Sequence, residues 1–492
     1  MLDKLEKNLN SLNEVITGSS SPEVVSLLSR LKRAGRVVRI APRVYTTNLT
    51  DSAENVVRRN LWVIVGHLWP EARLCHRTAL EYAPHDGHVF LGYKYTRKVE
   101  LPGVTIHFIA TAETLPTDYS FLDGLRVSSS ARAFLENLEP DKTQGGVRKC
   151  IGAEAIEERL ESEFAVGGEA ALNKIRDEAR AVASATGHLA EFARLDRMIG
   201  AMLATRPANV LKSRIALARA AGEPFDSARM ELFEKLMGYL ADKCFPACPE
   251  QNVSDKAYAT FAFFESYFSN YIEGTEFELE EARRIVETGV VVPTRDADSH
   301  DILGTYAVVS NRSEMSRTAT TSDEFLDILC GRHRLILAGR PSSSPGRFKT
   351  RDNRAGDTHF VSFDRVRGTL KRGFEMSRAI ANPFARAIFM LFVTSEVHPF
   401  ADGNGRVSRI MMNAELTAAG QTKIIVPTVF RPDYIGALRR MSRIGDPEAL
   451  VAAMSRLRDF CRLLSGDDFE AMRRQLDAAN AFKDDESSIL RF

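Results

Sequence analysis

The chain has 492 residues, and its 66 Lys and Arg against 65 Asp and Glu give a net charge of +1, which argues against a general attraction to nucleic acid or anionic membrane. A composition of 44% hydrophobic and 27% charged residues is typical of a globular protein with about two to four domains. The sequence has no apolar run long enough to predict a membrane span, and no signal-peptide core follows the N-terminus. Its six scattered cysteines indicate reduced thiols. We therefore expect a cytoplasmic protein without a membrane partner.

The N-terminal stretch predicts a helix followed by a basic hairpin. Residues 1–20 predict a short amphipathic helix and a Ser-rich turn, and a second helix begins at Ser21-Pro22 and ends near Gly35. Residues 36–45 alternate as two short strands around a Pro turn, so the whole has the outline of a winged helix. Six basic residues accompany it: Arg30, Lys32, Arg33, Arg36, Arg39 and Arg43. They predict either contacts with a DNA backbone or a solvated face of a protein-docking module.

Residues 55–130 predict a mixture of helix and strand, with a helix over 56–68. The predicted strands are 87–93, 97–101 and 104–110. Residues 39–45 read Arg-Ile-Ala-Pro-Arg-Val-Tyr and residues 76–80 read His-Arg-Thr-Ala-Leu. These phrases resemble the winged-helix antitoxin or regulator module of abortive-infection systems. The resemblance implies a small α+β module over residues 1–138.

The remaining chain predicts three further parts. Residues 139–249 have the spacing of successive helices and are interpreted as a helical connector. Residues 250–465 are predicted to be the catalytic domain, and they include an aromatic-rich helix over 255–272. Residues 466–492 are polar and charged and predict a loosely helical tail.

The functional residues concentrate in the stretch 398–409, which reads His-Pro-Phe-Ala-Asp-Gly-Asn-Gly-Arg-Val-Ser-Arg. Its Gly403-Asn404-Gly405 run opens a predicted helix, where backbone N–H groups and the helix dipole can hold an anion. Arg406 and Arg409 lie three residues apart, on one helical face, and two guanidinium groups beside an anion site suit a polyphosphate.

Two further residues of this stretch supply chemistry. Asp402 offers an oxygen ligand for Mg2+ shared with phosphate oxygens. His398 is the one group here that accepts a proton near neutral pH without help. The residues together predict a nucleotide site with a general base beside it.

The stretch resembles the Fic-domain signature His-x-Phe-x-Asp/Glu-Gly-Asn-Gly-Arg-x-x-Arg, and each defined position is met. The resemblance implies an all-α core with one β-hairpin flap, and an adenylyltransferase that moves AMP from ATP to a protein hydroxyl. We expect His398 to act as base, Asp402 to hold Mg2+ and Phe400 to anchor the loop. ATP is expected to contact the following residues: Gly403, Asn404, Gly405, Arg406 and Arg409.

A second motif lies at the end of the aromatic-rich helix. Residues 269–274, from Ser269 through Glu273 to Gly274, fit the inhibitory motif of Fic proteins, Ser/Thr-x-x-x-Glu-Gly/Asn. A carboxylate there that reaches Arg409 is predicted to form a bidentate pair and to repel the γ-phosphate of ATP. We therefore predict an inhibitory helix over about 255–274 and an enzyme restrained by Glu273.

The predicted flap covers residues 346–356. In the family this hairpin holds the target segment by strand addition. Four residues match the flap tip that lies along the nucleotide: Asn353, Arg354, Ala355 and Gly356. The basic residues Lys349, Arg351 and Arg354 are interpreted either as a positive field over the phosphates or as solvated side chains.

Three alternatives remain open from the sequence. The protein could remove AMP rather than add it, or do both, because an inhibitory Glu in this family can position a water. It could use another nucleotide or a phosphocholine donor, although the arginine pair favours a triphosphate. It could also be a DNA-binding regulator whose Fic half senses nucleotide. The sequence leaves open the protein target, which could be the chain itself, and a homodimer.

Overall fold

The structure is a computed structural model that describes residues 14–18, 22–141, 146–485 and 487–492. The chain divides into two compact units, Met1–Ala221 and Gly222–Phe492, and this boundary falls within the predicted connector. The first unit contains helices and sheets, whereas the second is helical apart from one hairpin. The predicted mainly α, multidomain fold with an α+β N-terminal part is confirmed. Among the described residues, no helix combines the length and the apolarity needed to cross a membrane.

The first unit begins with a three-stranded antiparallel sheet and one helix. The helix, α1, covers Pro22–Arg33, and the sheet order is β1-β3-β2. Its strands are β1 (Val15–Thr17), β2 (Val38–Ala41) and β3 (Val44–Thr46). The predicted short helix and Ser-rich turn over residues 1–20 are wrong at Val15–Thr17, because these residues form a strand in which Val15 pairs with Thr46. Residues 1–13 and 19–20 of that prediction, and the predicted cap Ser21, lie outside the described residues.

A six-stranded mixed sheet forms the core of the first unit, in the order β6-β7-β5-β4-β9-β8. The strands are β4 (Arg73–Leu74), β5 (His88–Tyr93), β6 (Arg97–Leu101), β7 (Val104–Ala110), β8 (Tyr119–Ser120) and β9 (Arg126–Val127). The three predicted strands are confirmed, and the three missed strands have two residues each, too few to show alternation. A winged helix does not account for this larger sheet, and that part of the resemblance stays a prediction.

Helices surround and follow the six-stranded sheet. They are α2 (Ala53–Arg59), α3 (Leu61–Leu68), α4 (His76–Glu81), α5 (Ser130–Glu136), α6 (Ala153–Thr186), α7 (Leu189–Met202) and α8 (Arg214–Ala220). The single helix predicted over 56–68 is broken at Asn60, whose side chain donates to the carbonyl of Val56. Helix α6 lies within the predicted connector and is kinked at Gly168, where φ is 62°.

The second unit packs its helices around one apolar core. They are α9 (Ser227–Ala241), α10 (Asp255–Ile272), α11 (Leu279–Thr288), α12 (Asp296–Val309), α13 (Arg312–Met315), α14 (Ser322–Ile336), α15 (Val366–Ser377), α16 (Pro383–Val397), α17 (Asn404–Ala418), α18 (Arg431–Ile444), α19 (Pro447–Cys461) and α20 (Phe469–Ala478). Helix α16 is apolar on all sides and buried, so it is a central helix of the core, and α17 packs against it. The short loop between these two helices carries the stretch 398–403.

The C-terminal helix α20 belongs to the same core. Met472 and Leu476 are fully buried four residues apart, which places both on the helical face that packs inward. The predicted tail of residues 466–492 therefore contains a helix, but its looseness is wrong. Because most residues of the tail are polar, its narrow apolar face was not recognised from the sequence.

We expect Leu476→Ala to lower the free energy of unfolding by about 2–4 kcal/mol, because it leaves a cavity in a packed core. The exposed Leu463, with 51% of its surface accessible, provides the matched control, and Leu463→Ala should change stability by less than about 0.5 kcal/mol. Urea unfolding of the full chain measures both. Equal losses would contradict the packing of α20.

Candidate active site

His398 lies at the start of the loop between α16 and α17, at the end of a buried helix. Helix α16 ends at Val397, and its C-cap His398 adopts a left-handed conformation with φ 50° and ψ 59°. This conformation costs free energy for a residue other than glycine, so the neighbouring contacts must hold it. The chain then passes through Pro399 and enters α17, whose N-cap is Gly403 with φ 74°. At Gly403 an added Cβ would lie 3.0 Å from the Leu337 side chain, so a glycine fits this turn best.

Phe400 and Asn404 fix the shape of this loop. The Asn404 side chain accepts a hydrogen bond from the Phe400 N–H (2.8 Å) and donates one to the Phe400 carbonyl (2.9 Å). Both residues are buried, and the Phe400 ring stacks on His333 with centroids 3.6 Å apart. The Asn404 amide is thus engaged with Phe400, and a contact between Asn404 and a phosphate stays a prediction.

His333 supports the loop as a neutral imidazole. Its Nδ1 accepts a hydrogen bond from the Gly346 N–H (2.9 Å), which leaves Nε2–H to donate to the Asp402 carbonyl (3.0 Å). Burial lowers the pKa of His333 to about 4, in agreement with a neutral ring at pH 7. His333 lies on α14, far from the signature in sequence, and no local pattern predicted its part in the loop.

The His398 ring is held from two directions. Its Nδ1 lies 3.3 Å from the Ser395 carbonyl, so Nδ1–H donates there and Nε2 is left as the acceptor. The ring stacks on Phe360, with centroids 3.7 Å apart and planes 6° from parallel. Burial lowers the pKa of His398 to about 4, against the opposing effect of the Ser395 hydrogen bond. The imidazole is therefore neutral at pH 7 and able to accept a proton.

The predicted flap contacts the back of this loop. The Lys349 N–H donates to the Pro399 carbonyl (2.9 Å), and its ammonium donates to the Asn353 side chain (2.6 Å). Asn353 in turn donates to the Phe400 carbonyl (3.0 Å). Lys349 is buried, and this burial lowers its pKa to about 8. Lys349 is thus a buried structural donor here, not a solvated side chain.

The hairpin itself begins later than the sequence predicts. Its strands are β10 (Arg354–Ala355) and β11 (Thr358–His359), so residues 346–353 precede the hairpin. Arg354, Ala355 and Gly356 are exposed, and Gly356 has φ 58° in the turn. Their contact with a nucleotide stays a prediction. Strands this short show too little alternation for their bounds to be predicted.

Arg406 lies in a buried, ion-paired position at the start of α17. Its Nη1 is 2.6 Å from Oδ2 of Asp301 and donates to Oδ1 of Asn270 (3.3 Å). Its Nη2 lies 3.9 Å from Oδ1 of Asp402, and Nε has no partner among the described residues. The sequence predicted a phosphate contact for Arg406, and it missed the carboxylate of Asp301.

Arg409 forms an ion pair with Glu273, as the sequence predicts. Its Nη2 donates to Oε1 of Glu273 (2.8 Å) and to the Ser269 carbonyl (2.8 Å), while Nε donates to the Ser269 hydroxyl (3.0 Å). The predicted bidentate pair is wrong, because the carboxylate accepts a single hydrogen bond, from Nη2 to Oε1, while Nε donates to Ser269. The carboxylate is one member of an ion pair in which Arg409 is buried and Glu273 is partly exposed.

The Glu273 carboxylate also lies against the first turn of α17. A Cβ added at Gly405 would lie 2.0 Å from Glu273 Oε1, so a larger residue at this position would displace the Glu273 side chain. Gly274 follows with φ 89°, the left-handed conformation that ends α10. The carboxylate therefore occupies the helix N-terminus that the sequence predicts as an anion site.

Asp402 is the candidate Mg2+ ligand. Its side chain is 49% exposed, and Oδ1 accepts a hydrogen bond from the Gly403 N–H (2.7 Å). Among the described residues, no group of three His, Cys, Asp or Glu side chains is arranged to hold a metal ion. Mg2+ commonly binds through one or two carboxylates together with substrate phosphates and water, so one exposed carboxylate fits that mode.

Residues 323–416 match the Fic/DOC family. This segment is a Fic domain. It contains His398, the loop after it, both arginines and the hairpin, whereas Glu273 and Asp301 lie before it.

Two relatives illustrate how far the likeness to known proteins extends. Protein adenylyltransferase fic-1 of Caenorhabditis elegans is 27% identical over 230 residues, which cover 45% of this chain and 42% of the relative. Protein adenylyltransferase Fic of Nematostella vectensis is 28% identical over 225 residues, covering 44% of this chain and 51% of the relative. The likeness thus spans about half the length of these relatives.

Among solved structures, residues 134–508 of Fic-1 from C. elegans align with a TM-score of 0.37 at 19% identity, covering 66% of this chain and 98% of that chain.

The stacking of Phe360 on His398 in the Fic domain leads to a test. We expect Phe360→Ala to raise the pKa of His398 from about 4 towards the ordinary value of 6.5, because the ring loses the cover that desolvates it. NMR titration of histidine ring resonances measures this pKa. Phe363 lies on the same segment and is exposed, so Phe363→Ala is the control and should leave the pKa unchanged. A pKa that stays at about 4 in Phe360→Ala would contradict the role of the stack.

Proposed function

We propose that the chain is a protein adenylyltransferase that moves AMP from ATP to a Ser, Thr or Tyr hydroxyl of a protein. The observation that carries the proposal is the position of His398. Its imidazole ring is neutral, and Nε2 is left as a hydrogen-bond acceptor. The residue lies at the start of the loop that leads into α17, whose first turns carry Arg406 and Arg409. The relatives named protein adenylyltransferase support the same reaction.

The proposed reaction uses these groups in one transfer. The target hydroxyl gives its proton to Nε2 of His398 as its oxygen attacks the α-phosphorus. A bond forms between that oxygen and the α-phosphorus, the bond to the bridging oxygen breaks, and pyrophosphate leaves. Backbone N–H groups at Gly403 and Gly405 would stabilise the equatorial oxygens, and Arg406 and Arg409 would bind the outer phosphates. Mg2+ held by Asp402 with phosphate oxygens would neutralise part of the phosphate charge.

Glu273 is proposed to restrain this reaction. Its carboxylate pairs with Arg409 and lies against Gly405, in the region where the outer phosphates of ATP would bind. Two anions cannot share this place without repulsion, so ATP would bind there only in a pose that is not in line for attack. Removal of the carboxylate frees one N–H of Arg409 and the start of α17 together.

We expect Glu273→Gly to raise self-labelling from α-labelled ATP at least tenfold, and His398→Ala in that background to lower it at least about 100-fold. The matched control is Glu276→Gly, since Glu276 is an exposed carboxylate three residues away without an ion pair in the described chain. It should leave labelling at the wild-type level. Transfer of label to a cell extract identifies the target, and γ-labelled ATP should give none.

The same assay separates the alternatives. Release of AMP from a modified target, without labelling in any variant, would replace the proposal with AMP removal. Labelling that survives in His398→Ala would exclude His398 as the base. Label from another nucleotide or a phosphocholine donor would change the donor and leave the site in place.

A second candidate function is DNA binding by the first unit. The side chains of Arg30, Lys32, Arg33, Arg36, Arg39 and Arg43 are exposed, and within the described part of the chain none of them forms an ion pair. They lie on α1, on β2 and in the loops beside these elements, so the charge gathers on one helix and its hairpin. This concentration supports contact with a phosphate backbone.

We expect retention on duplex DNA to weaken steeply with salt, and the double variant Arg36→Glu and Arg39→Glu to weaken it at least tenfold at one salt concentration. Arg197 is an exposed arginine on α7, and Arg197→Glu is the control that should leave retention unchanged. Fluorescence anisotropy with a labelled duplex measures both. Equal retention in all three proteins would remove DNA from the proposed partners.

A further inference from the structure

A buried carboxylate outside both sequence motifs joins two arginines at the active site. Asp301 lies on α12 and is almost fully buried. Its Oδ2 is 2.6 Å from Nη1 of Arg406 and 2.7 Å from Nη2 of Arg340. Nε of Arg340 also donates to both carboxylate oxygens, at 3.0 and 2.8 Å.

This contact determines the orientation of Arg406. Asp301 and Asn270 together hold Nη1, and the planar guanidinium then places Nη2 on the side of Asp402, 3.9 Å from its Oδ1. Because Arg406 is buried, its guanidinium group cannot rotate freely, and these contacts fix its orientation. A nucleotide held near Asp402 would meet an N–H donor that is already in place.

The same carboxylate keeps a further cation close by. The Arg340 side chain is 28% exposed, and its Nη2 also pairs with Asp298 (2.9 Å). Nη1 of Arg340 has no partner within the described ranges of the chain. Because Arg340 and Arg406 contact the same oxygen of Asp301, Arg340 lies next to Arg406, and the hydrogen bond to Asp301 raises the pKa of Arg340.

We propose that Asp301 is a positioning residue of the nucleotide site, which orients Arg406 and holds Arg340 beside it as an additional cation for the phosphates of ATP. The inference rests on the proposed adenylyltransferase function. An acid is needed at this place because two guanidinium groups would otherwise repel each other across a few ångströms of buried space. An amide of the same shape would keep the packing and lose this compensation.

Binding of Mg2+ and ATP to the full chain tests the inference without catalysis. The parent protein carries Glu273→Gly and His398→Ala, and isothermal titration measures the Kd for ATP in excess Mg2+. We expect Asp301→Asn to raise this Kd at least tenfold and Arg340→Gln to raise it three- to tenfold. Asp298 contacts Arg340 without contacting Arg406, so Asp298→Asn is the matched control and should change the Kd less than twofold.

A kinetic measurement distinguishes positioning from general support of the structure. In the active Glu273→Gly background, Asp301→Asn should raise KM for ATP by about the same factor as the Kd and change kcat less than threefold. A loss confined to kcat, or a fall in both parameters that follows a lower melting temperature, would overturn the positioning role.

The remaining outcomes are also decisive. If Asp301→Asn does not fold, Arg340→Gln decides the matter, because its side chain is partly exposed. Equal affinity in the parent, Asp301→Asn and Arg340→Gln would overturn the inference and leave the proposed function standing. Absence of ATP binding in the parent would overturn the proposed function and the inference with it.

Discussion

The two hydrogen bonds between the backbone of Phe400 and the side-chain amide of Asn404 are the interaction on which the rest of the site depends. They close a short loop around a buried aromatic ring, so the residues on both sides of the loop have fixed directions. His398 precedes the closure and Asp402 lies within it, and α17 begins directly after it. A loop of this kind has little conformational freedom left to lose when a substrate binds, which favours catalysis.

The two buried arginines of the site differ in the carboxylates that compensate their charge. Arg406 and Arg409 are both buried, but the nearest carboxylate to Arg406 is the buried Asp301, whereas that of Arg409 is the partly exposed Glu273. The buried partner is a permanent part of the fold, because its removal would leave an uncompensated charge. The partly exposed partner can return to water at lower cost, which makes the charge of Arg409 available to a ligand. Burial thus distinguishes Asp301, which is fixed in the core, from Glu273, which reaches the solvent.

Local sequence patterns predicted the elements that carry the site but not all the contacts between them. Helix α16 was predictable from its apolar run and its Asn-Pro start, and the contact of Glu273 with Arg409 from a motif. Asp301 was not predictable, because a single acid in a helix has no signature and its partner lies 105 residues away in the chain. The same holds for His333, whose neutral ring depends on a backbone N–H and a carbonyl from two distant loops. The hairpin shifted from its predicted bounds because two-residue strands leave no period to detect.

Helix α10 is joined to α17 by more than the glutamate at its end. Asn413 donates to Glu265 (2.8 Å), Arg409 to the Ser269 hydroxyl (3.0 Å), and Arg406 to Asn270 (3.3 Å). These polar contacts recur along the buried side of both helices, one helical turn after another, and α10 could leave only by breaking them together. The Glu273 side chain, in contrast, follows the last of them and can turn away by rotation about its own bonds. Movement of the Glu273 side chain away from Arg409 therefore does not require α10 to separate from α17.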